Sequence, residues 1–337
     1  MNIQNDDTLL QVDGLRTVFD TRAGTVCAVD GVDVAVRRGE CLGVVGESGS
    51  GKSVTFGSVM GLVRRPGRID AGRILFDGRD LRALTPRQMR AIRGRDIAMT
   101  MQDALTALNP ALTVGEQLAE VLEAHDEDLP TGRTARRRAI RDRSVEMLGL
   151  VGIPSPGTRL GQYPHEFSGG MRQRIMIAIA LASKPKLLIA DEPTTALDVT
   201  VQMQVLSLIR ELCDAFDMGV LFITHDLGVV SELADRVAVM YGGKIAETGP
   251  VEELFRNPLH PYTGGLMGCV PEPAAGHRRF RTIPGQAPKP GEVPEGCKFA
   301  PRCSHVQPAC RAGAVPPVTA GASHAAYCHF PLSRGEP

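Results

Sequence analysis

The chain has 337 residues, a length that predicts one large domain with an appendage. Hydrophobic residues make up 43% of it and charged residues 23%, which is typical of a globular protein and excludes a disordered or collagen-like chain. Lys and Arg together number 38, as do Asp and Glu, so the formal net charge is zero. A broad electrostatic surface for nucleic acid or anionic lipid is therefore not expected.

Membrane-spanning and secretory segments are not expected either. The longest uninterrupted apolar run, residues 175–182, is less than half of the roughly 20 residues that a helix needs to cross a bilayer. The first ten residues, MNIQNDDTLL, lack the basic, apolar and small-residue regions of a signal peptide. We therefore expect the cytoplasm as the compartment, where eight cysteines do not favour a disulfide framework.

The order of apolar patterns indicates an α/β fold with a mainly parallel sheet, because strands and helices alternate along most of the chain. Proline and glycine recur without periodicity over residues 271–294, which predicts one large domain at 1–270 and a Pro-rich, Cys-containing extension at 271–337. The predicted strands are 9–15, 32–36, 41–45, 187–190 and 220–224, and the predicted helices start at Ser53, lie within 113–150, and cover about 199–216.

The strongest motif is GESGSGKS at residues 46–53, which matches the phosphate-binding pattern GxxxxGK[ST] and lies between a predicted strand and a predicted helix. Its glycines allow backbone N–H groups to turn inward around phosphate at the positive end of the helix. Lys52 is expected to reach the β- and γ-phosphates, and Ser53 to hold Mg²⁺. The candidate nucleotide ligands here are Gly46, Glu47, Ser48, Gly49, Ser50, Gly51, Lys52 and Ser53.

A second candidate site follows the apolar stretch LLIADE at residues 187–192. Both carboxylates would lie at the carboxyl end of a strand, where open α/β sheets bind ligands. Asp191 suits Mg²⁺ coordination, and Glu192 is then available to orient and polarise an attacking water molecule.

The segment FSGGMRQR at residues 167–174 resembles the LSGGQ signature of ATP-binding cassette proteins, with Phe in place of Leu and Met in place of Gln. Ser168, Gly169 and Gly170 would open a helix whose N-terminus suits an anion. In that family this turn clamps the γ-phosphate of ATP bound to the opposite subunit. The resemblance therefore implies a P-loop ATPase of the cassette fold, with an N-terminal antiparallel β layer and ATP and Mg²⁺ as cofactors.

Further site residues follow from the same resemblance. Gln102 matches the glutamine that touches Mg²⁺ or water and senses the transporter partner. Asp198, in ALD at 196–198, matches the loop that crosses the dimer interface, and His225 matches the histidine near the γ-phosphate. An aromatic residue ahead of the P-loop usually stacks on adenine, and Phe19 is the candidate, with simple core packing as the alternative.

Two stretches, QDALTALNP at 102–110 and NPLHPYT at 257–263, resemble the dipeptide and oligopeptide importer ATPases. The chain departs from that pattern at Ala104 and at the residues before Gln102, without loss of a phosphate or metal contact. The resemblance implies an ATP-hydrolysing subunit that powers peptide import through ATP-driven dimerisation. An importer of nickel or a metal chelate, with the same ATPase role, remains the alternative.

The resemblance also implies partners and a location. These are a second ATPase subunit, identical or homologous, two transmembrane permease subunits, and indirectly an extracytoplasmic solute-binding protein. The helical insertion at about 103–165 would dock on the permeases at the cytoplasmic face of the membrane. Nucleic acid is not an expected partner.

Other function classes fit the sequence less well. A DNA-repair or chromosome ATPase of this type carries a long coiled coil between P-loop and signature, for which residues 53–167 leave no room. A cassette-type translation factor has two cassettes in one chain. A non-catalytic subunit is disfavoured because Lys52, Glu192 and His225 are all present.

Four cysteines crowd into the tail with the spacing C-x5-C-x6-C-x17-C, which matches neither zinc ribbons nor ferredoxin runs. Four thiolates suit zinc or an iron–sulfur cluster, with nearby histidines in reserve. The segment 296–303 resembles the C-terminal motif of peptide-importer ATPases, some of which hold a [4Fe–4S] cluster there. We therefore expect that cluster first and zinc second. The candidate ligands are Cys297, Cys303, Cys310 and Cys328, with His305, His324 and His329 in reserve.

Overall fold

The computed structural model describes residues 7–101, 104–194, 197–269, 282–288, 294–321 and 323–333. They fall into two compact units: the first contains residues up to 37, 41–82 and those from 222 onward, and the second contains 38–40 and 83–221. The described strands are β1 (Thr8–Thr21), β2 (Gly24–Arg37), β3 (Cys41–Val45), β4 (Gly67–Phe76), β5 (Arg79–Asp80), β6 (Ile97–Thr100), β7 (Leu187–Asp191), β8 (Gly219–Thr224), β9 (Arg236–Tyr241), β10 (Lys244–Pro250), β11 (Pro317–Ala320) and β12 (His324–Tyr327). The helices are α1 (Lys52–Val59), α2 (Pro86–Ile92), α3 (Ala104–Ala107), α4 (Val114–His125), α5 (Arg133–Leu150), α6 (Pro156–Arg159), α7 (Gly169–Leu181), α8 (Val199–Phe216), α9 (Leu227–Leu233), α10 (Val251–Arg256) and α11 (Pro261–Gly268).

An antiparallel sheet in the order β2-β1-β4-β5 forms one layer of the first unit. Strands β1 and β2 are joined by a tight hairpin that pairs Thr21 with Gly24. Their buried residues mostly alternate with more exposed ones, as expected where one face of a sheet packs on a core. This is the predicted N-terminal β layer, with strands longer than the hydrophobic pattern alone indicated.

A mixed sheet in the order β11-β12-β10-β9-β3 forms the other layer of the first unit. Strands β3 and β9 are parallel, whereas β9, β10, β12 and β11 pair antiparallel. Every residue of β3 is buried, which explains its continuous apolar sequence. The tail residues assigned to a C-terminal extension thus supply the last two strands of this sheet.

The core between this sheet and its helices also includes the tail. Val45 and Val239 of the strands pack in one cluster with Leu227, Tyr262 and Phe299. Phe299 lies in the tail, and it is buried. The tail is therefore an integral part of the fold of the first unit.

The second unit is largely helical around the parallel pair β6 and β7. Helices α3 to α6 correspond to the predicted insertion. Helix α4 begins with a capping box, in which the Thr113 side chain accepts from Glu116 N and the Glu116 carboxylate accepts from Thr113 N. Strand β8 begins in this unit, and its last three residues belong to the first. The predicted α/β class and helical insertion are confirmed.

Within the described residues, none of the helices combines the length and apolar character required to cross a bilayer.

Candidate nucleotide site and C-terminal thiol cavity

The P-loop at residues 46–53 connects β3 to α1 and is held together by its own hydrogen bonds. The Lys52 ammonium donates to Gly46 O at 2.6 Å and to Glu47 O at 3.1 Å. It also lies 3.4 Å from Ser50 Oγ, and the residue is only 6% exposed. Glu47 O accepts a second bond from Ser50 N at 3.1 Å. The loop carbonyls therefore fix the position of the ammonium group expected to meet the phosphates.

Two glycines of this loop are required by close backbone contacts. A Cβ on Gly46 would overlap the carbonyl oxygen of Met240. Gly51 has φ 105°, and a Cβ there would lie 2.8 Å from Ala28 O. By contrast, Ser48, Gly49 and Ser53 are exposed on the loop, as expected of residues that meet a ligand. These features agree with a phosphate-binding loop, in which backbone N–H groups and the helix N-terminus hold the anion.

Glu47 of the P-loop is also bound from the C-terminal half of the chain. The hydroxyl of Tyr262 accepts from Glu47 N at 3.0 Å. One nitrogen of Arg302, Nη1, donates to the two carboxylate oxygens of Glu47 at 3.0 and 2.8 Å. Burial raises the pKa of Tyr262, so its hydroxyl is neutral at physiological pH. Sequence reasoning assigned no role to Tyr262 or Arg302.

The two carboxylates lie at the end of a strand, as expected from the sequence, and this strand belongs to the second unit. Asp191 is the last residue of β7 and Glu192 follows it; both are half-buried. Glu192 has φ 46°, a left-handed conformation that is strained for a residue with a Cβ. Such strain is often found at functional sites, where the surrounding structure holds it in place. Their roles in metal binding and water activation stay predictions.

The signature turn forms the N-terminus of α7. The Ser168 side chain accepts from Met171 N at 3.4 Å as the N-cap. Ser168 and Gly169 are exposed. Gly170 faces α8, because a Cβ there would lie 2.5 Å from Val201 Cγ1. The turn therefore presents one exposed face and packs the other against its own unit.

Four further site residues were predicted from the family resemblance, and the structure describes three of them. Asp198 caps α8 by accepting from Val201 N at 2.9 Å. His225 is exposed just after β8. Phe19 in β1 is half-buried and packs over Gly67, where a Cβ would lie 2.6 Å from its ring, so core packing accounts for part of its position. Gln102 lies outside the described residues. The roles of all four stay predictions.

The tail brings its four cysteines to one small cavity of about 10 Å³, a volume that holds about one water-sized sphere. All four are free thiols. Burial raises the pKa of Cys297 and Cys303, and it raises the pKa of Cys328 to about 11. The cavity is lined by Cys297, Cys303, Cys310 and Cys328 together with His260, His305 and His329.

No group of three or more His, Cys, Asp or Glu side chains is arranged to hold a metal ion in the part of the chain that the structure describes. The thiols thus share a cavity without forming a metal-binding geometry. His324, a predicted reserve ligand, is instead bound elsewhere: its Nε2 lies 2.7 Å from the buried Glu247 Oε1. This contact ties β12 to β10. The described side chains therefore form no finished metal site, and the expected iron–sulfur or zinc group stays a prediction.

Two family models match the chain. The first, described as ABC transporter, matches residues 29–195. The second, described as the C-terminal region of oligopeptide/dipeptide transporters, matches residues 246–310. The second match covers both the Tyr262 segment and three of the tail cysteines.

Curated relatives match over almost the whole length. A putative peptide import ATP-binding protein of Brucella melitensis is 50% identical over 332 residues, which cover 95% of this chain and 96% of that protein. The dipeptide transport ATP-binding protein DppD of Bacillus subtilis is 50% identical over 305 residues, covering 90% of this chain and 89% of that protein. The oligopeptide transport ATP-binding protein OppD of the same organism is 50% identical over 299 residues, covering 88% and 82%.

Solved structures agree on the fold. The CbiO1 protein of Clostridium perfringens, part of an ABC transporter complex, is 27% identical with a TM-score of 0.61, covering 74% of this chain and 91% of that chain. The dimeric ATP-binding cassette MJ0796 bound to ADP and phosphate is 24% identical with a TM-score of 0.62, covering 72% and 99%.

Proposed function

The chain belongs to the ATP-binding cassette family of transporter ATPases, and from this premise we propose that it is the ATP-hydrolysing subunit of a membrane importer of dipeptides or oligopeptides. The observation that carries the substrate class is the match of residues 246–310 to the C-terminal region of oligopeptide/dipeptide transporters. Identity near 50% to proteins named for dipeptide and oligopeptide transport supports the same substrates.

ATP and Mg²⁺ are the cofactors expected of this family, and the P-loop fits them. The Lys52 ammonium is held by Gly46 O and Glu47 O, and Ser53 is exposed in the first turn of α1. Lys52 would bind the β- and γ-phosphates, and Ser53 and Asp191 would hold Mg²⁺, whose charge stabilises the negative charge of phosphoryl transfer. Gln102, from the family resemblance, would contact the same ion or the water. Glu192 would accept a proton from the attacking water, and His225 would contact the γ-phosphate.

Dimerisation belongs to the proposed mechanism. Two cassettes would close head to tail around two ATP molecules, with the Ser168 turn of each against the γ-phosphate on the other. The exposure of Ser168 and Gly169 at the start of α7 supports this arrangement, because an exposed helix N-terminus can meet an anion. Closure would be transmitted through the helical insertion to two permease subunits at the cytoplasmic face of the membrane. A solute-binding protein outside would deliver the peptide.

The test is uptake by the whole complex. The chain, its partner ATPase and two permeases are reconstituted in liposomes, and ATP-driven uptake of a labelled tripeptide is measured with the solute-binding protein. We expect uptake that depends on ATP, with Lys52→Ala as the inactive control. Uptake of nickel or a nickel chelate, without peptide uptake, would favour the metal-importer alternative.

We also propose that Cys297, Cys303, Cys310 and Cys328 hold a [4Fe–4S] cluster, with zinc as the alternative. What supports this is the single cavity that all four free thiols line. The cavity as it stands has room for one ion, so a cluster requires the thiols to move apart. When bound, either group would cross-link a segment that has little regular secondary structure.

Metal analysis of the anaerobically purified full chain distinguishes the two groups. A cluster gives a brown protein with iron, sulfide and visible absorption, all lost when the four cysteines are changed to Ser. The matched control changes Cys27, Cys41, Cys213 and Cys269 and keeps the colour. Stoichiometric zinc without iron would favour zinc, and a folded protein with neither metal would contradict both.

A further inference from the structure

The C-terminal segment reaches the P-loop through a nearly buried ion pair. Arg302 Nη1 donates to Glu47 Oε1 at 3.0 Å and to Oε2 at 2.8 Å, although the residues are 255 positions apart. The Arg302 side chain is 7% exposed and that of Glu47 is 28% exposed. Charge-assisted hydrogen bonds shielded from water in this way are stronger than exposed ones.

Other contacts orient the Arg302 guanidinium. Its Nε donates to Pro284 O at 2.9 Å, and Nη1 also donates to the Tyr241 hydroxyl at 3.2 Å. The guanidinium carbon lies 5.8 Å from the centre of the Tyr241 ring and 6.0 Å from that of Phe299. Tyr241 lies in β9, whereas Pro284 and Phe299 lie in the tail, and all three belong to the first unit. The guanidinium is therefore held in place without a bound nucleotide.

The backbone of Glu47 is held from the same side. Tyr262, which is fully buried, accepts from Glu47 N at 3.0 Å through its hydroxyl. Its ring packs on Tyr241 and Phe299, with centroids 4.6 and 5.3 Å apart. One residue of the P-loop is therefore bound at its side chain by Arg302 and at its N–H by Tyr262.

These contacts connect directly to Lys52. The N–H of Glu47 and the carbonyl of Gly46 belong to one planar peptide unit, and that carbonyl accepts from Lys52 Nζ at 2.6 Å. The next peptide unit supplies Glu47 O, which accepts from the same ammonium at 3.1 Å. Rotation of either unit would move the ammonium of Lys52.

The negative charge of Glu47 gives a second reason to expect that Arg302 affects nucleotide binding. A carboxylate in a loop that binds a polyanion opposes binding, and the guanidinium of Arg302 compensates it. Loss of Arg302 would leave this half-buried carboxylate without its cation close to the phosphate site.

We propose that Arg302, together with Tyr262, is a positioning residue of the nucleotide site: it neutralises Glu47 and holds the P-loop so that Lys52 meets the β- and γ-phosphates. This inference rests on nucleotide binding by the P-loop. It makes the C-terminal segment part of the ATP-binding apparatus, in addition to its place in the fold.

The test measures binding of a fluorescent N-methylanthraniloyl ATP analogue with Mg²⁺ to the full chain, and the KM and kcat of ATP hydrolysis. For Arg302→Gln we expect the Kd and KM for nucleotide to rise roughly tenfold, as for loss of a charged hydrogen bond, while kcat stays within about twofold. Arg311→Gln, an exposed arginine of the same tail, is the matched control and should match the wild type.

A double-substitution cycle separates this role from general stability. In a Glu47→Gln background, Arg302→Gln should change the Kd by less than about twofold, because the partner charge is already gone. A purely structural arginine would lower the thermal midpoint by the same amount in both backgrounds and leave the Kd of the folded protein unchanged. Equal effects on the Kd in the two backgrounds, or none in either, would overturn the proposal.

If Arg302→Gln does not fold, Tyr262→Phe tests the proposal instead, because this substitution removes one hydroxyl and keeps the buried ring. We expect its Kd to rise severalfold with the fold retained. A wild-type Kd in folded Tyr262→Phe would then overturn the proposal. If the wild-type chain itself failed to bind the analogue, the assignment of the P-loop would be wrong instead.

Discussion

The P-loop and the signature turn are both glycine-containing turns at the start of a helix, yet their surroundings differ. In the P-loop, Lys52 is nearly buried and the loop is bound by its own carbonyls and by the C-terminal segment. In the signature turn, Ser168 makes an ordinary N-cap, and Ser168 and Gly169 are exposed. The first turn is shaped in advance by its own chain, whereas the second leaves its helix N-terminus accessible.

In the proposed dimer, this difference would give the two turns separate roles. A loop that is already formed can bind nucleotide in a single subunit, since little conformational entropy remains to be lost. An exposed helix N-terminus contributes only when an anion is brought to it. Substitutions in the two regions should therefore separate nucleotide binding from hydrolysis.

The largest effect is expected from Glu192→Gln, which removes the proposed general base and spares both turns. Turnover should fall by at least ~10²-fold, while nucleotide affinity stays nearly unchanged and an ATP-bound dimer accumulates. Phosphate release and size-exclusion chromatography with ATP measure this. The exposed Glu120→Gln in α4 is the control. Wild-type turnover in the purified Glu192 variant would contradict the assignment.

Lys52→Ala tests the preformed turn. Loss of a charged hydrogen bond to phosphate is worth about 1.5–3 kcal/mol, so the Kd for nucleotide should rise roughly 10- to 150-fold. Titration with the fluorescent ATP analogue measures the change, with Lys244→Ala as a control on the same unit. An unchanged Kd would mean that the P-loop does not bind the phosphates through this residue.

Ser168→Arg tests the exposed turn by placing bulk and charge where the opposite γ-phosphate should dock. We expect nucleotide binding by the single subunit to remain, but hydrolysis to fall about tenfold or more because the dimer cannot close. Ser207→Arg, exposed on α8, is the control for an added arginine. ATP-dependent dimers with normal hydrolysis in the Ser168 variant would exclude the trans arrangement.

Gly170→Ala tests the packing behind the signature turn, and its expected effect is on stability. The added Cβ would lie 2.5 Å from Val201 Cγ1, and such overpacking typically costs about 1–3 kcal/mol in the free energy of unfolding. Gly169→Ala is matched to it, since its Cβ would approach Leu197 no closer than 4.0 Å. Urea unfolding measures both. Equal stability of the two variants would show that the α7–α8 packing adjusts freely.

Local sequence was enough for most of the fold. The predicted strand at 41–45 and helix at 199–216 match β3 and α8 in both bounds. Continuous apolar runs and the Asp198 cap carry these signals within a few neighbouring residues. The long strands β1 and β2 extend past their predicted ends, because hairpin pairing rather than the apolar pattern decides where they stop.

The candidate site divides in the same way. The sequence by itself determined the P-loop, the strand-end carboxylates and the signature turn, because their chemistry depends on residues adjacent in the chain. Only the tertiary structure brought four distant thiols to one cavity and Arg302 to Glu47. Contacts between residues that far apart depend on the pairing of β12 with β10 and on the shared aromatic core, and no local pattern encodes them.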